Sequence, residues 1–289
     1  MKIITARRAG FCYGVKRAID ITFNRAKEMS ENIYTLGPLI HNPQVIDDMK
    51  SKGIFPVDID KIKDNANIKE LIIRTHGIPC ELYDSISANG FRIIDATCPF
   101  VKKAQHYAKL LKESGYQVII LGDINHPEVR GLMSYAGKDV IVLNGDAPLP
   151  KLKSKVGVVV QTTQPVEALK KVLSDIIEHI REIKVYNTIC NSTALRLEET
   201  EYMAKKVDVM LVVGGKNSAN TTQLANLCRS LNVMTYHIET AAELDGGWFN
   251  DISTVGITAG ASTPKWIIKE VKKRIKDIGG RPSNGNRKQ

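Results

Sequence analysis

The sequence predicts an α/β protein built from parallel sheets, and three observations carry this. Eleven short runs rich in Val and Ile recur along the 289 residues, several of them apolar throughout, as strands buried on both faces of a parallel sheet read. Between them lie segments with apolar residues at helical spacing, such as "AIDITFNRAKEMS" and "PVEALKKVLSDIIEHI". Finally, Cys12, Cys98 and Cys190 stand 86 and 92 residues apart, and each opens a helix-like stretch.

In the first third, "KIITA" leads through "RRAGF" to the helical "CYGVKRAIDI". "NIYTL" ends in "GPLIHNPQ" with His41, "ELIIRT" in "HGIP" with His76, and "FRIIDA" in "TCPF" with Cys98. In the middle third, the helical "CPFVKKAQHYAKLL" precedes "QVIILG", which ends in "DINHPEVRG" with His126 and Glu128. "DVIVLN" follows, then "KVGVVVQ" ending in "TTQP" with Thr162 and Thr163, and "IKVYNT" ending in "ICNST" with Cys190. In the last third, the helical "CNSTALRLEETEYMAKK" precedes "DVMLVVGG", which ends in "KNSANTTQL" with Ser218 and Asn220. "NVMTYHI" follows, and "STVGITAG" ends in "ASTP" with Ser262. The cysteine spacing predicts three similar α/β units, residues 1–97, 98–189 and 190–281, each of ordinary domain size, followed by a basic, flexible tail over 282–289.

Composition excludes several classes. The chain is 43% hydrophobic and 25% charged, ordinary for a globular protein, and its formal charge of +10 favours acidic partners without bearing on fold. Aromatics are few at 6%, and no basic-aromatic stripe or zinc-finger spacing occurs, so nucleic acid is not expected. The amino terminus has charges within its apolar part, and runs such as "VDVMLVV" are too short to span a bilayer. A cytoplasmic enzyme without a membrane segment is expected. Five cysteines, an odd number, argue against a disulfide framework.

In open parallel sheets, ligands bind outside the carboxyl ends of the strands. Eight polar strand ends together point to one site shared by all three units. Cys12, Cys98 and Cys190 lack the close-pair spacing of structural zinc. A cubane iron–sulfur cluster normally takes four thiolates, so three would leave one iron open to a substrate oxygen as a Lewis acid. Helix amino termini favour each thiolate. Ordinary buried cysteines are the competing reading, and the matching placement at three helix starts counts against it. Cys228, on an apolar helix face, reads as a small buried hydrophobe.

His41, His76 and His126 all follow strands near Gly or Pro, whereas His106, His179 and His237 fall inside helix or strand patterns and read as structural. Imidazole N–H groups suit an anionic ligand. Ser218, Asn220 and Ser262 add neutral donors at loop-to-helix junctions, a natural phosphate environment. No P-loop and no dinucleotide G-x-G-x-x-G is present, so neither ATP nor NAD is supported. Glu128 is the carboxylate best placed among these motifs to deliver a proton, against the alternative of a solvated loop glutamate. Asp95 reads as an orienting or capping residue.

Together "AGFCYGVKRAI", "LGPLIHN", "DATCPFVKK", "NHPEVRG", "QTT", "ICNST", "GGKNSAN" and "TAGASTP" resemble the 4-hydroxy-3-methylbut-2-enyl diphosphate reductases, over about residues 8 to 264. The resemblance implies three α/β domains in pseudo-threefold arrangement around a central cavity that holds a [4Fe–4S] cluster. It places the three cluster ligands on Cys12, Cys98 and Cys190, with one iron open to the substrate's allylic hydroxyl. It implies a two-electron, two-proton removal of that hydroxyl as water, with protonation at either end of the allylic system giving isopentenyl or dimethylallyl diphosphate. The family's proton-delivering glutamate falls on Glu128 and its assisting threonine on Thr162. The diphosphate-binding residues fall on His41, His76, His126, Ser218, Asn220 and Ser262, with Thr162 also touching substrate. Members often carry "NSSN" where this chain has "NSAN", so Ala219 lacks one hydroxyl donor. Without an NAD or flavin fingerprint, the expected electron donor is an external carrier such as ferredoxin or flavodoxin.

Two other functions compete. A quinolinate-synthase-type iron–sulfur enzyme shares three repeated domains and a three-cysteine cluster, but its carboxylate substrates call for more arginine or tyrosine at the strand ends. A non-catalytic metal-binding or redox-sensing protein needs the cysteines but neither Glu128 nor the phosphate set.

Overall fold

The computed structural model describes residues 1–29, 31–40, 42–58, 62, 68–144 and 149–279. The expected tail over 282–289 lies outside the described residues, as does His41. In chain order the strands and α-helices are β1 (Lys2–Thr5), α1 (Tyr13–Glu28), β2 (Ile33–Leu36), α2 (Pro43–Ser51), β3 (Ile54–Val57), β4 (Glu70–Ile73), α3 (Cys80–Ala88), β5 (Arg92–Asp95) and α4 (Pro99–Glu113). They continue as β6 (Gln117–Leu121), α5 (Pro127–Ala136), β7 (Ile141–Leu143), β8 (Lys155–Val160), α6 (Val166–Ile176), β9 (Glu182–Tyr186), α7 (Asn191–Ala204), β10 (Val209–Val213), α8 (Ala219–Ser230), β11 (Met234–Ile238), β12 (Thr254–Ala259) and α9 (Lys265–Gly279).

Three four-stranded sheets result, ordered β3-β2-β4-β5, β7-β6-β8-β9 and β11-β10-β12-β1, and every strand pair is parallel. The fold is therefore α/β, as the apolar strand runs predict. The three sheets share one topology. Numbering the strands of each sheet by their place in the repeat, the order is second, first, third, fourth. In the last sheet the fourth place is taken by β1, which registers Lys2 to Thr5 against Thr254 to Ile257. This strand lies within residues 1–97 but pairs with strands from 190–281. Edge pairing of parallel strands is non-local, and nothing in the run "KIITA" names its neighbour.

The chain divides into two compact units, one of residues 1–12, 41–45 and 192–289, the other of 13–40 and 46–191. The first contains the sheet β11-β10-β12-β1. Val209, Leu211, Val213, Val255 and Ile257 face α9 through Ile267, Val271 and Ile275, while Met210 and Val212 face Met203 of α7 and Leu224 and Ala225 of α8. Alternate residues of one strand thus serve opposite layers, which is why β10 reads as continuously apolar.

The second unit holds the other two sheets. In β6, Val118 and Ile120 pack on α4 (Ala104, Ala108, Leu111) and α5 (Val129, Leu132), whereas Ile119 and Leu121 join Leu169, Val172 and Ile176 of α6 on the other face. Leu36, Leu71 and Ile73 pack with Ile78 and with Ile86 of α3. The strand that the sequence pattern does not announce is β3, "IFPV", which contains Pro56. It occupies a sheet edge, where a residue without an N–H is tolerated. No helix among the described residues is long and apolar enough to cross a membrane.

Candidate functional site

The described candidates lie after the first, third or fourth strand of a sheet, and none follows a second strand. First strands lead to His126 and Glu128 (β6) and to Ser218 and Asn220 (β10). Third strands lead to His76 (β4), Thr162 (β8) and Ser262 (β12). The first and third strands of each sheet are adjacent, and the chain departs from them in opposite senses. That is the switch point where a parallel sheet opens a ligand crevice. His41 follows β2, a first strand, in the sequence but lies outside the described residues.

The three cysteines hold one equivalent position. Each follows the fourth strand of a sheet (β1, β5, β9) and stands immediately before a helix (α1, α4, α7). Each also makes the same backbone contact within its own unit. The N–H groups of Cys12, Cys98 and Cys190 donate to the carbonyls of Ala261, Thr75 and Thr162 at 3.1, 3.0 and 2.8 Å, and all three acceptors lie just past a third strand. The main chain at each cysteine is therefore fixed by the sheet core, and each side chain leaves a helix amino terminus, where the helix dipole favours a thiolate. All three are partly exposed.

In the second unit, Cys98 caps α4 without a side-chain capping bond, and Pro99 takes the first helical position, where no N–H partner is needed. Gly14 of α1 lies against it. A Cβ at residue 14 would stand 2.4 Å from Cys98 Sγ, so only glycine leaves that sulfur its place. Arg17 Nη1 donates to the Thr97 carbonyl at 3.2 Å, tying α1 to the cysteine loop.

Cys190 belongs to a second local network. Thr162, whose carbonyl accepts from Cys190 N–H, grips Glu128 twice. Its N–H donates to Glu128 Oε1 at 2.7 Å, and its hydroxyl lies 2.9 Å from Oε2. Glu128 is only 2% exposed, and burial pushes its carboxyl up to about 7, although the two Thr162 contacts pull the other way. His126 caps α5, its Nδ1 accepting from Glu128 N–H at 3.2 Å, so the ring proton of that tautomer sits on Nε2. The rings of His76 and His126 meet edge to face with centroids 5.4 Å apart. Arg74, two residues before His76, is half-buried. Desolvation first and the charge of Arg130 second hold its guanidinium below the ordinary value.

In the first unit, Ser218 caps α8 without a side-chain capping bond, so the helix presents its first-turn N–H groups without that competitor. Ser262 Oγ and Asn220 Oδ1 are buried and have no hydrogen-bond partner. Unpaired buried polar atoms call for an occupant; the Ser262 hydroxyl and the N–H groups at the helix amino terminus can donate to an anion, whereas Asn220 Oδ1 can only accept. The side chain of Ala219 lies outside the described residues. Two residues without a sequence signal shape this half-site. Asn42 Nδ2 donates to the Ser262 carbonyl at 3.1 Å. Buried Arg196 donates to the carbonyls of Ala259 and Gly10 at 2.7 and 3.0 Å, and also to that of Arg8, so it fixes the loop that precedes Cys12. Asn42 is visible in the sequence only as the neighbour of His41, and Arg196 reads as a surface charge of α7.

The remaining two cysteines are packed otherwise. Cys228 is fully buried in an apolar layer, and burial pushes its thiol up to about 11. Cys80 N–H is bound by Ser134 Oγ at 2.9 Å. Among the described residues, no group of three or more His, Cys, Asp or Glu is gathered around a metal position. Cys98 and Cys190 belong to one unit and Cys12 to the other. The residues present nonetheless fit an iron–sulfur group. Three soft thiols hold equivalent backbone-pinned positions, and the sulfur of Cys98 is accommodated only because residue 14 has no Cβ.

The family described as LytB protein matches residues 3–276. The 4-hydroxy-3-methylbut-2-enyl diphosphate reductase of Pelobacter propionicus is 50% identical over 280 residues, covering 96% of this chain and 99% of its own. The enzyme of the same name from Aquifex aeolicus is 46% identical over 281 residues, covering 96% of each. Among solved structures, an (E)-4-hydroxy-3-methyl-but-2-enyl diphosphate reductase, described as the terminal enzyme of the non-mevalonate pathway, aligns with a TM-score of 0.76 at 44% identity. That alignment covers 96% of this chain and all of the other. The Plasmodium falciparum E-1-hydroxy-2-methyl-but-2-enyl-4-diphosphate reductase aligns with a TM-score of 0.85 at 25% identity, covering 97% and 89%.

Proposed function

Because the chain belongs to the LytB protein family, we propose that it is an oxidoreductase acting on 4-hydroxy-3-methylbut-2-enyl diphosphate in isoprenoid biosynthesis. It removes the allylic hydroxyl as water, with two electrons and two protons, and yields isopentenyl and dimethylallyl diphosphate. The observation that carries the chemistry is the pairing of buried Glu128 with Thr162, whose carbonyl in turn holds Cys190.

Cys12, Cys98 and Cys190 would hold a [4Fe–4S] cluster with one iron lacking a protein ligand. Such a cluster supplies single electrons and a Lewis-acidic iron for the allylic oxygen. The protein's own part is binding and proton delivery. The amino terminus of α8 with Ser218, Asn220 and Ser262 takes phosphate oxygens through neutral donors, and His76, His126 and His41 add imidazole donors. Arg74 and Arg130 raise the positive potential near His76 and draw in the dianionic end of the substrate.

Glu128, with its carboxyl pushed up to about 7, keeps a large protonated population, about half, at neutral pH. When protonated, its Oε2–H donates to Thr162 Oγ1, and the threonine hydroxyl is then turned outward as a donor. A proton thus passes from Glu128 through Thr162 toward the departing hydroxyl or the allylic carbon, while burial keeps bulk water from competing. The electrons come from an external carrier of ferredoxin or flavodoxin type, and the enzyme works in the cytoplasm.

The test is Glu128→Gln in anaerobically prepared holoenzyme. Turnover is expected to fall by about 10² to 10⁴, the usual worth of a positioned acid, with the cluster absorbance unchanged. Near-normal turnover would remove Glu128 from this role. Full cluster colour in a wild-type protein that never turns over the allylic diphosphate would favour the redox-sensing alternative instead.

A further inference from the structure

The first turns of α1 and α4 carry a surface that the reaction itself does not use. Tyr13 is 65% exposed and Phe100 is 39% exposed, although each stands within two residues of a cysteine. A lysine follows each aromatic at the next position on the same helix face, giving Tyr13 with Lys16 and Phe100 with Lys103. Both helices bury other faces, α1 through Gly14, Ala18, Ile19 and Thr22, and α4 through Val101, Ala104, Ala108 and Leu111. Neither has an acidic residue in its first turn. Arg17 and exposed Lys102 add further cations, and Lys102 is paired with Asp95 at 2.5 Å.

The two helix starts are neighbours. Gly14 lies against Cys98 Sγ, and Arg17 donates to the Thr97 carbonyl at 3.2 Å. Two exposed aromatics on adjoining helix starts, each with an exposed lysine on its own face, combine a small apolar contact with positive charge, the arrangement through which charge-steered association works. The reaction also consumes two electrons in a chain without a dinucleotide fingerprint, so another molecule must bring them close to the thiols.

We propose that Tyr13, Lys16, Arg17, Phe100, Lys102 and Lys103 form the docking surface for an acidic one-electron carrier protein, which delivers its electrons beside Cys98. The proposal rests on the reading of Cys98 as a cluster ligand. Each encounter transfers one electron. Two reduced carriers, two protons and one allylic diphosphate give one isoprenyl diphosphate, one water and two oxidised carriers. The rings supply a small apolar contact, and the lysines steer an acidic partner into place. Small interfaces with fast, salt-sensitive association are characteristic of electron-transfer complexes.

The experiment compares wild-type holoenzyme with the Lys16→Glu, Lys103→Glu double variant, using two reductants, reduced methyl viologen and a reduced acidic plant-type ferredoxin, at low and high salt. Viologen-driven turnover is expected to match wild type. Ferredoxin-driven kcat/KM is expected to fall at least ten-fold at low salt, and the steep salt dependence of wild type is expected to flatten. Unchanged ferredoxin-driven turnover overturns the docking surface while leaving the reductase reading intact. Failure of viologen to drive the iron-loaded wild type at all overturns the reductase reading itself. Should the double variant lose iron, carbodiimide cross-linking of wild type to ferredoxin decides. Links at Lys16 or Lys103 support the surface, and links confined to other lysines overturn it.

Discussion

Glu128 stands at the second position of α5, closed off from solvent, with both oxygens held by Thr162. Its folded value of about 7 lies above its ordinary 4.5. Between those pH values the native protein keeps a proton that the unfolded chain has released. The resulting stabilisation is complete below the ordinary value and is lost as pH rises through 7, with a gap worth about 3 kcal/mol. Chemical denaturation of wild type and Glu128→Gln from pH 5 to 8 checks this. Wild type is expected to lose stability relative to the variant as pH rises, and parallel profiles would contradict the burial of a titrating carboxyl. Much of this was legible in the sequence, because "NHPEVRG" and "QTT" both end strands. The double grip of Thr162 was not legible, since it joins residues 34 apart in the chain. Nor was Arg196, because its partners are backbone carbonyls, which no residue type advertises.

Among elements, the fourth strand of each sheet does the distinctive work. It delivers a cysteine to a helix start and lets the preceding third strand fix that cysteine's N–H. Cysteine spacing of near one third announced the repeat, but the shared strand order became visible only with the pairings, and β1 shows why. Its four residues read as a strand from composition, while its place beside β12 comes from long-range packing. Apolar runs announced the other strands, and β3 was masked by Pro56, harmless only because the strand is an edge. The approach of α1 to Cys98 yields a further expectation. A Cβ at residue 14 would sit 2.4 Å from Sγ and 3.1 Å from Cβ of Cys98. Gly14→Ala must displace the helix or the thiol, at a cost of about 1–3 kcal/mol for overpacking. Iron per chain after anaerobic purification is expected to fall well below wild type, and full iron content would contradict the close approach.

For the whole molecule, three sheets of one topology place every described candidate at the carboxyl end of a first, third or fourth strand. The donor sets differ among the sheets, with His76 contributed by one, His126 and the Glu128–Thr162 pair by a second, and the α8 amino terminus by the third. Each sheet thus carries its own arrangement of polar strand ends. It was readable in outline because polar motifs interrupt apolar strands at regular intervals. The proposed function depends above all on Cys12, Cys98 and Cys190 together holding one iron–sulfur cluster whose unique iron would meet the allylic hydroxyl. Mössbauer spectra of anaerobically purified, iron-57-enriched protein, taken with and without 4-hydroxy-3-methylbut-2-enyl diphosphate, address it most directly. Close to four irons per chain are expected, with one iron site, distinct from the other three, whose signal shifts when the substrate is added. Zinc or no metal in the protein, or four equivalent irons indifferent to the substrate, would contradict it.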